Sequence, residues 1–191
     1  MEHELVVRNT LLLRTYQEID QRAWLLFMLV KVWAKQAGIA DASHGTLSSY
    51  GWALLTIFYL QQCDPPVLPI LQSEELAGEG SAWHRPACAA TENWATSFCE
   101  DQAAAKATLA ANPNTQTVTE LLCGFFQFYG WSFRYKTMVI SPRLGKAFEK
   151  QNYEPAQATK RSEWRFTIED PFELNHDLGA CNFLTSPSRG H

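Results

Sequence analysis

Apolar residues near the start of the chain recur at helical spacing. Leu5, Leu11, Leu12, Tyr16 and Ile19 predict a helix over residues 4–19 with these positions on one side. Asp20 is placed to cap a second helix, about 21–37, whose apolar set Trp24, Leu25, Met28, Leu29, Val32 and Trp33 repeats every three or four residues. Gly38 ends it. The stretch around which the rest is organised is Gly45–Gln62: a tight turn at Gly45, hydroxyl residues able to cap, then an almost unbroken apolar run from Trp52 to Leu60. A helix apolar all round is buried on nearly all sides.

Prolines 65, 66 and 69 break that helix. Residues 73–116 change composition, Glu- and Gly-rich and then Ala-rich, and read as a loosely ordered insertion anchored at Trp94 and Phe98. Thr117 and Glu120 then form a capping box for an aromatic helix running to Phe133. The density of Phe125, Phe126, Phe128, Tyr129, Trp131 and Phe133 fits burial better than an exposed stacking platform. Tyr135–Ser141 predicts a short strand, Pro142 the first position of a helical segment to about Gln151, and Trp164–Ile168 a second strand after a loop over 152–163. The expected fold is mainly α with a small β component. Residues 1–72 and 117–181 form two parts of one domain around the 73–116 insertion, and 182–191 form a disordered or truncated tail.

Composition narrows the setting. At 191 residues and 46% hydrophobic, the chain can bury one substantial core. A net charge of −4 supplies no global field for RNA or an anionic membrane, so any nucleic-acid contact is local or comes from another domain. Five irregularly spaced cysteines argue for reduced thiols. His84 and Cys88 have metal-pair spacing but no second pair follows, so no zinc site is read. The N-terminus lacks a signal-peptide core and no apolar run has the length of a membrane span. The expected compartment is inside the cell, the cytoplasm first.

Three places carry candidate chemistry. Ser48, Ser49 and Tyr50 sit at the positive end of the central helix, which suits an anion bearing a flat ring, such as a nucleotide; an ordinary cap with a packing tyrosine uses the same residues. Lys31 and Lys35 share one helix face and could clamp a polyphosphate, or simply be solvated lysines complementing the helix end. Pro171 pins a turn after two carboxylates in IEDPFELNHDLGA, and Glu173, Asn175, His176 and Asp177 follow. Such a loop can present acceptors and an imidazole to a heterocycle, or be an Asp-Pro turn with a surface histidine.

Seven segments together resemble the terminal RNA nucleotidyltransferase family, most closely its terminal uridylyltransferases. They are RNTLLLRTYQEID at 8–20, LVKVWAKQAGI at 29–39, GTLSSYG at 45–51, LQQCDPPVLPILQ at 60–72, FFQFYGWSF at 125–133, ISPRLG at 140–145 and IEDPFELNHDLGA at 168–180. The resemblance implies a helical nucleotide-recognition domain with a poly(A) polymerase-associated region. It also implies that Asn9, with Thr10 beside it, contacts the ribose of UTP and that Lys31, Lys35 and Ser49 bind the triphosphate. Tyr50 would stack on the base, and Asp170, Glu173 and His176 would line its edge. Family members that select uracil tend to carry histidine at this last place; an imidazole donor suits the O4 acceptor of uracil and meets the exocyclic amine of adenine badly.

The sequence also departs from the family. Its chemistry belongs to a palm domain with a Gly-Ser motif and aspartates that hold metal ions, whereas this chain starts just ahead of Asn9 and has no strand with a DxD pattern. Gly80-Ser81 lies in the insertion without acidic partners, and Arg134 stands where relatives usually carry an acid. No catalytic or metal-binding residue is therefore assigned. The Mg2+ or Mn2+ of the complete enzyme would be held by a missing palm or a partner subunit, and the chain alone is expected to be inactive. The implied reaction is UMP transfer from UTP to an RNA 3′ end. A non-catalytic scaffold module and an adenylating relative are the alternatives.

Overall fold

Asp20 ends one helix and starts the next. In the computed structural model, whose described residues are 2–77, 96–154 and 165–180, α1 spans Glu2–Ile19 and α2 spans Gln21–Gln36. The Asp20 carboxylate accepts the Arg22 backbone N–H at 2.8 Å and the Arg22 guanidinium at 2.7 Å. That guanidinium also donates to Asn114 and to the Gln116 carbonyl, tying the α1–α2 corner to the chain just ahead of Thr117. Trp94, His84, Cys88, Gly80, Ser81 and the tail lie outside the described residues.

The central helix α3 (Ser49–Gln62) forms as its sequence predicts. Gly45 takes a φ of 77°, Ser48 accepts the Gly51 N–H at 3.1 Å, and every residue from Gly51 to Leu60 is buried. Against it, α2 turns a face other than its bulkiest one. Ala23, Leu26, Val30 and Ala34 are buried, whereas Trp24, Leu25, Met28, Leu29, Val32 and Trp33 are 36–50% exposed. Small side chains let the two helices approach closely, which leaves the large ones outside.

A short α4 (Gln102–Ala107) is capped by Asp101, and just before it Phe98 and Cys99 are fully buried. The Cys99 N–H donates to the Leu71 carbonyl at 2.8 Å. The capping box of Thr117 and Glu120 opens α5 (Val118–Gln127), which widens into a π-helical turn at Phe128–Ser132. Of the aromatic cluster, Phe125 is buried and Phe126, Phe128, Tyr129 and Phe133 pack partly buried on the core. Trp131 departs from the expected burial, at 82% exposed.

Three strands form one sheet in the order β2-β1-β3. β1 (Met138–Ser141) pairs antiparallel with β2 (Lys146–Glu149), Ser141 opposite Lys146, and parallel with β3 (Thr167–Ile168). The helix expected from Pro142 is thus replaced by a hairpin. Proline's fixed φ serves the second position of a turn as readily as the first of a helix. Here Ser141 Oγ accepts the Leu144 N–H at 3.1 Å, and Gly145 supplies a φ of 60°.

Candidate functional site

The first turn of α3 places Tyr50 against α1, where its hydroxyl donates to Asn9 Oδ1 at 2.9 Å. Burial holds the Tyr50 phenol well above its ordinary value, and the nearby Asp170 carboxylate pushes it further. Residues 9 and 50, far apart in sequence, are therefore in contact, and the charge of Asp170 reaches the phenol. Because Ser48 is the cap, the hydroxyl of Ser49 is left without a partner among the described residues and stays available at the helix start.

Asp170 opens the loop that follows β3. Its Oδ1 accepts the backbone N–H groups of Phe172 at 2.9 Å and Glu173 at 3.0 Å, the signature of a turn pinned by Asp-Pro. Burial raises its carboxyl above the ordinary value, while those two N–H groups and the charge of His176 oppose the rise. The Asp170 N–H donates to the His176 carbonyl at 3.1 Å, and the His176 N–H to the Glu173 carbonyl at 2.8 Å. His176 Nδ1 lies 3.4 Å from Glu173 Oε2, with both side chains a little over one-third exposed. The loop thus buries its aspartate and offers its histidine and glutamate at the surface.

The return of the loop is built with equal economy. Asp177 Oδ1 accepts from Ile168 and Gly179, and the Leu178 N–H donates to the Ile168 carbonyl. A Cβ on Gly179 would stand 1.8 Å from the Phe166 carbonyl oxygen, so only glycine fits the motif here. Glu169 is held by Ser141 and by Arg143 at 3.0 Å, and the Gln72 amide donates to the Pro171 carbonyl at 3.0 Å.

Sequence reasoning missed a supporting wedge. The Arg8 guanidinium, next to Asn9, is buried; it donates to the Thr96 carbonyl and to Glu100 at 2.7 Å and lies 4.6 Å from the Phe98 ring centroid. Phe98 packs on Phe172 with ring centroids 6.0 Å apart. Phe98 was legible as an anchor, but nothing local marks Arg8 as its partner.

The other predicted residues, Thr10, Lys31 and Lys35, stand on α1 and α2. Thr10 is exposed, donates to the Val6 carbonyl, and lines a cavity of about 340 Å3 between α1, α2 and α3 with Tyr16, Trp24, Phe27, Thr56 and Ile57 among its walls. Tyr50 and His176 do not line it. The Lys31 ammonium rests 5.7 Å from the Phe27 ring centroid, and Lys35 is exposed. Trp33 and Trp52, 5.7 Å apart, pack the end of α2 on the start of α3. Among the described residues no contact joins either lysine to Tyr50.

No group of three or more His, Cys, Asp or Glu among the described residues could hold a metal ion. The carboxylates nearest the loop are committed to Arg143, Ser141 and backbone N–H groups, so they do not fit a two-metal site. No helix among the described residues is long and apolar enough to cross a membrane.

Comparison with known proteins finds relatives of this chain. Residues 117–176 match the model of the Cid1 family poly A polymerase. The chain is 38% identical over 180 residues to terminal uridylyltransferase 4 of Homo sapiens, covering 92% of this chain and 10% of that protein. It is 33% identical over 170 residues to the poly(A) RNA polymerase GLD2-B of Xenopus laevis, covering 87% of this chain and 30% of the relative. The solved structure of Cid1 in complex with the UTP analog UMPNPP superposes with a TM-score of 0.74 at 31% identity, covering 93% of this chain and 53% of that one. The chain thus spans about a tenth of the first curated relatives and about half of the solved one.

Proposed function

Because the chain carries a region of the terminal RNA nucleotidyltransferase family, we propose that it is the nucleotide-recognising half of an RNA terminal uridylyltransferase, which transfers UMP from UTP to RNA 3′ ends. The observation that carries this reading is the convergence of Asn9, Tyr50 and Asp170, with His176 hydrogen-bonded through its backbone to Asp170.

In this reading Asn9 meets the ribose and holds the Tyr50 hydroxyl, so that the ring presents its face to the base. Asp170 fixes the loop from which Glu173 and His176 reach the base edge, and the imidazole offers uracil O4 a donor that adenine's amine cannot use. Lys31, Lys35 and the Ser49 hydroxyl take the triphosphate, Thr10 standing beside Asn9. The described residues include no group of metal ligands, so in this reading Mg2+ or Mn2+ is held by a palm, and without one the chain is inactive.

The exposed apolar face of α2 supports that division. Trp24, Leu25, Met28, Leu29 and Val32 form a stripe of the kind that marks an interface, and a palm or a partner subunit would cover it. The same stripe favours, as a second reading, a non-catalytic module that docks on a separate enzyme. Joining the chain to a palm with the metal carboxylates and supplying RNA with a free 3′ hydroxyl separates these. Extension with UTP and little with ATP is expected; equal extension would point to an adenylating relative, and none to the scaffold.

A further inference from the structure

We propose that Trp131, with the exposed Arg134 beside it, is a stacking site for an unpaired base of the RNA strand, apart from the nucleotide pocket. At 82% exposed, Trp131 is the most exposed large hydrophobic side chain among the described residues, yet the turn that carries it is pinned on both sides. The π turn closes with the Phe133 N–H on the Phe128 carbonyl at 2.8 Å, and the rings of Phe128, Tyr129 and Phe133 pack on one another 4.9–5.8 Å apart. Tyr129 also donates to the Leu55 carbonyl at 2.8 Å, fixing the turn to the central helix. The indole is thus exposed on a rigid mount, with little ordering entropy left to lose when a base stacks on it.

Charge selects the occupant. The protein carries a net charge of −4, but from Leu121 to Phe148 it has Arg134, Lys136, Arg143 and Lys146 and no acidic residue. Arg143 is paired with Glu169 and Lys136 is also engaged, whereas Arg134 and Lys146 are exposed. Glu120, the acid preceding this stretch, is bonded to Thr117 at the opposite end of α5, roughly 16 Å from the turn at 1.5 Å per residue. An exposed ring with an exposed arginine three residues on suits a single-stranded polyanion with flat bases. Phe133 stacks on Phe166 with centroids 6.2 Å apart, and Phe166 leads into β3 and Asp170, so the turn and the base-reading loop share one ring contact.

The proposal rests on the reading of the chain as part of an RNA-modifying enzyme, and two measurements keep their failures apart. Fluorescence anisotropy with a short labelled oligouridylate should show about tenfold weaker binding for Trp131→Ala and a loss within about threefold for Trp131→Phe. Arg134→Ala should flatten the salt dependence. Heparin, a polyanion without bases, should bind wild type and Trp131→Ala alike, and thermal melts of the variants should match wild type. RNA affinity indifferent to Trp131, equal losses on RNA and heparin, or a wild-type chain that does not bind the RNA overturns the proposal. Calorimetry with UTP is the second measurement: a wild type that binds RNA as expected but not UTP overturns the nucleotide reading instead.

Discussion

The Tyr50 hydroxyl donates to Asn9 Oδ1 at 2.9 Å, so the residue assigned to the base and the residue assigned to the ribose are held by one hydrogen bond. Tyr50→Phe keeps the ring and removes the bond. UTP affinity measured by calorimetry should fall about fivefold, within the range of a single net hydrogen bond. Tyr50→Ala should lose more, because the stacking face goes too.

The wedge of Arg8, Phe98 and Phe172 should set how firmly the loop at 170–177 is held. Phe98→Ala removes a fully buried ring and should cost about 3–5 kcal/mol in denaturant unfolding. Arg8→Lys keeps the charge but gives up the two-point grip on the Thr96 carbonyl. Hydrogen exchange in the Arg8→Lys protein should quicken at Phe172, Glu173 and His176 before it does in α3.

What was legible in the sequence follows the range of the forces involved. Caps at Asp20, Ser48 and Thr117 act within three residues, and each was readable and is present. The direction of α2 was not readable, because it carries two apolar stripes and only the fit against α3 decides that Ala23, Leu26, Val30 and Ala34 face inward. The strand at β1 is legible, but β2 is not: Pro142 is compatible with a helix start and with a turn, and the pairing of Met138 with Glu149 that decides between them lies outside any local window. The site residues were marked by family motifs rather than by physics. Arg8 finds its partners 88 and 92 positions away, and no spacing rule announces that.

Gly179 is a sharper test of the loop's construction. Gly179→Ala forces the Phe166 carbonyl to move and should lower the thermal midpoint by several degrees, together with UTP affinity. Gly130, where a Cβ would meet nothing within 4 Å, is the control: Gly130→Ala should melt within about 1 °C of wild type.

Asp170 should trade stability for function. Burial raises its carboxyl above the ordinary 3.8, so the folded protein binds this proton more tightly than the unfolded chain. Stability from this group is therefore full below the unfolded value and falls as pH rises through the window up to the folded one. Asp170→Asn keeps an oxygen for the Phe172 and Glu173 N–H groups and removes the buried charge. It should melt higher than wild type at neutral pH, with the advantage gone below pH 3.8, and bind UTP roughly tenfold more weakly.

The central claim is that the loop after β3 reads the base through His176, over a ring supplied by α3. Calorimetric titration of UTP and ATP into wild type and His176→Asn tests it most directly. Wild type should favour UTP, and the substitution should shrink the ratio of the two affinities about tenfold, the scale of one discriminating hydrogen bond. A ratio that the substitution leaves unchanged, or a wild-type chain indifferent to the base, would contradict the account.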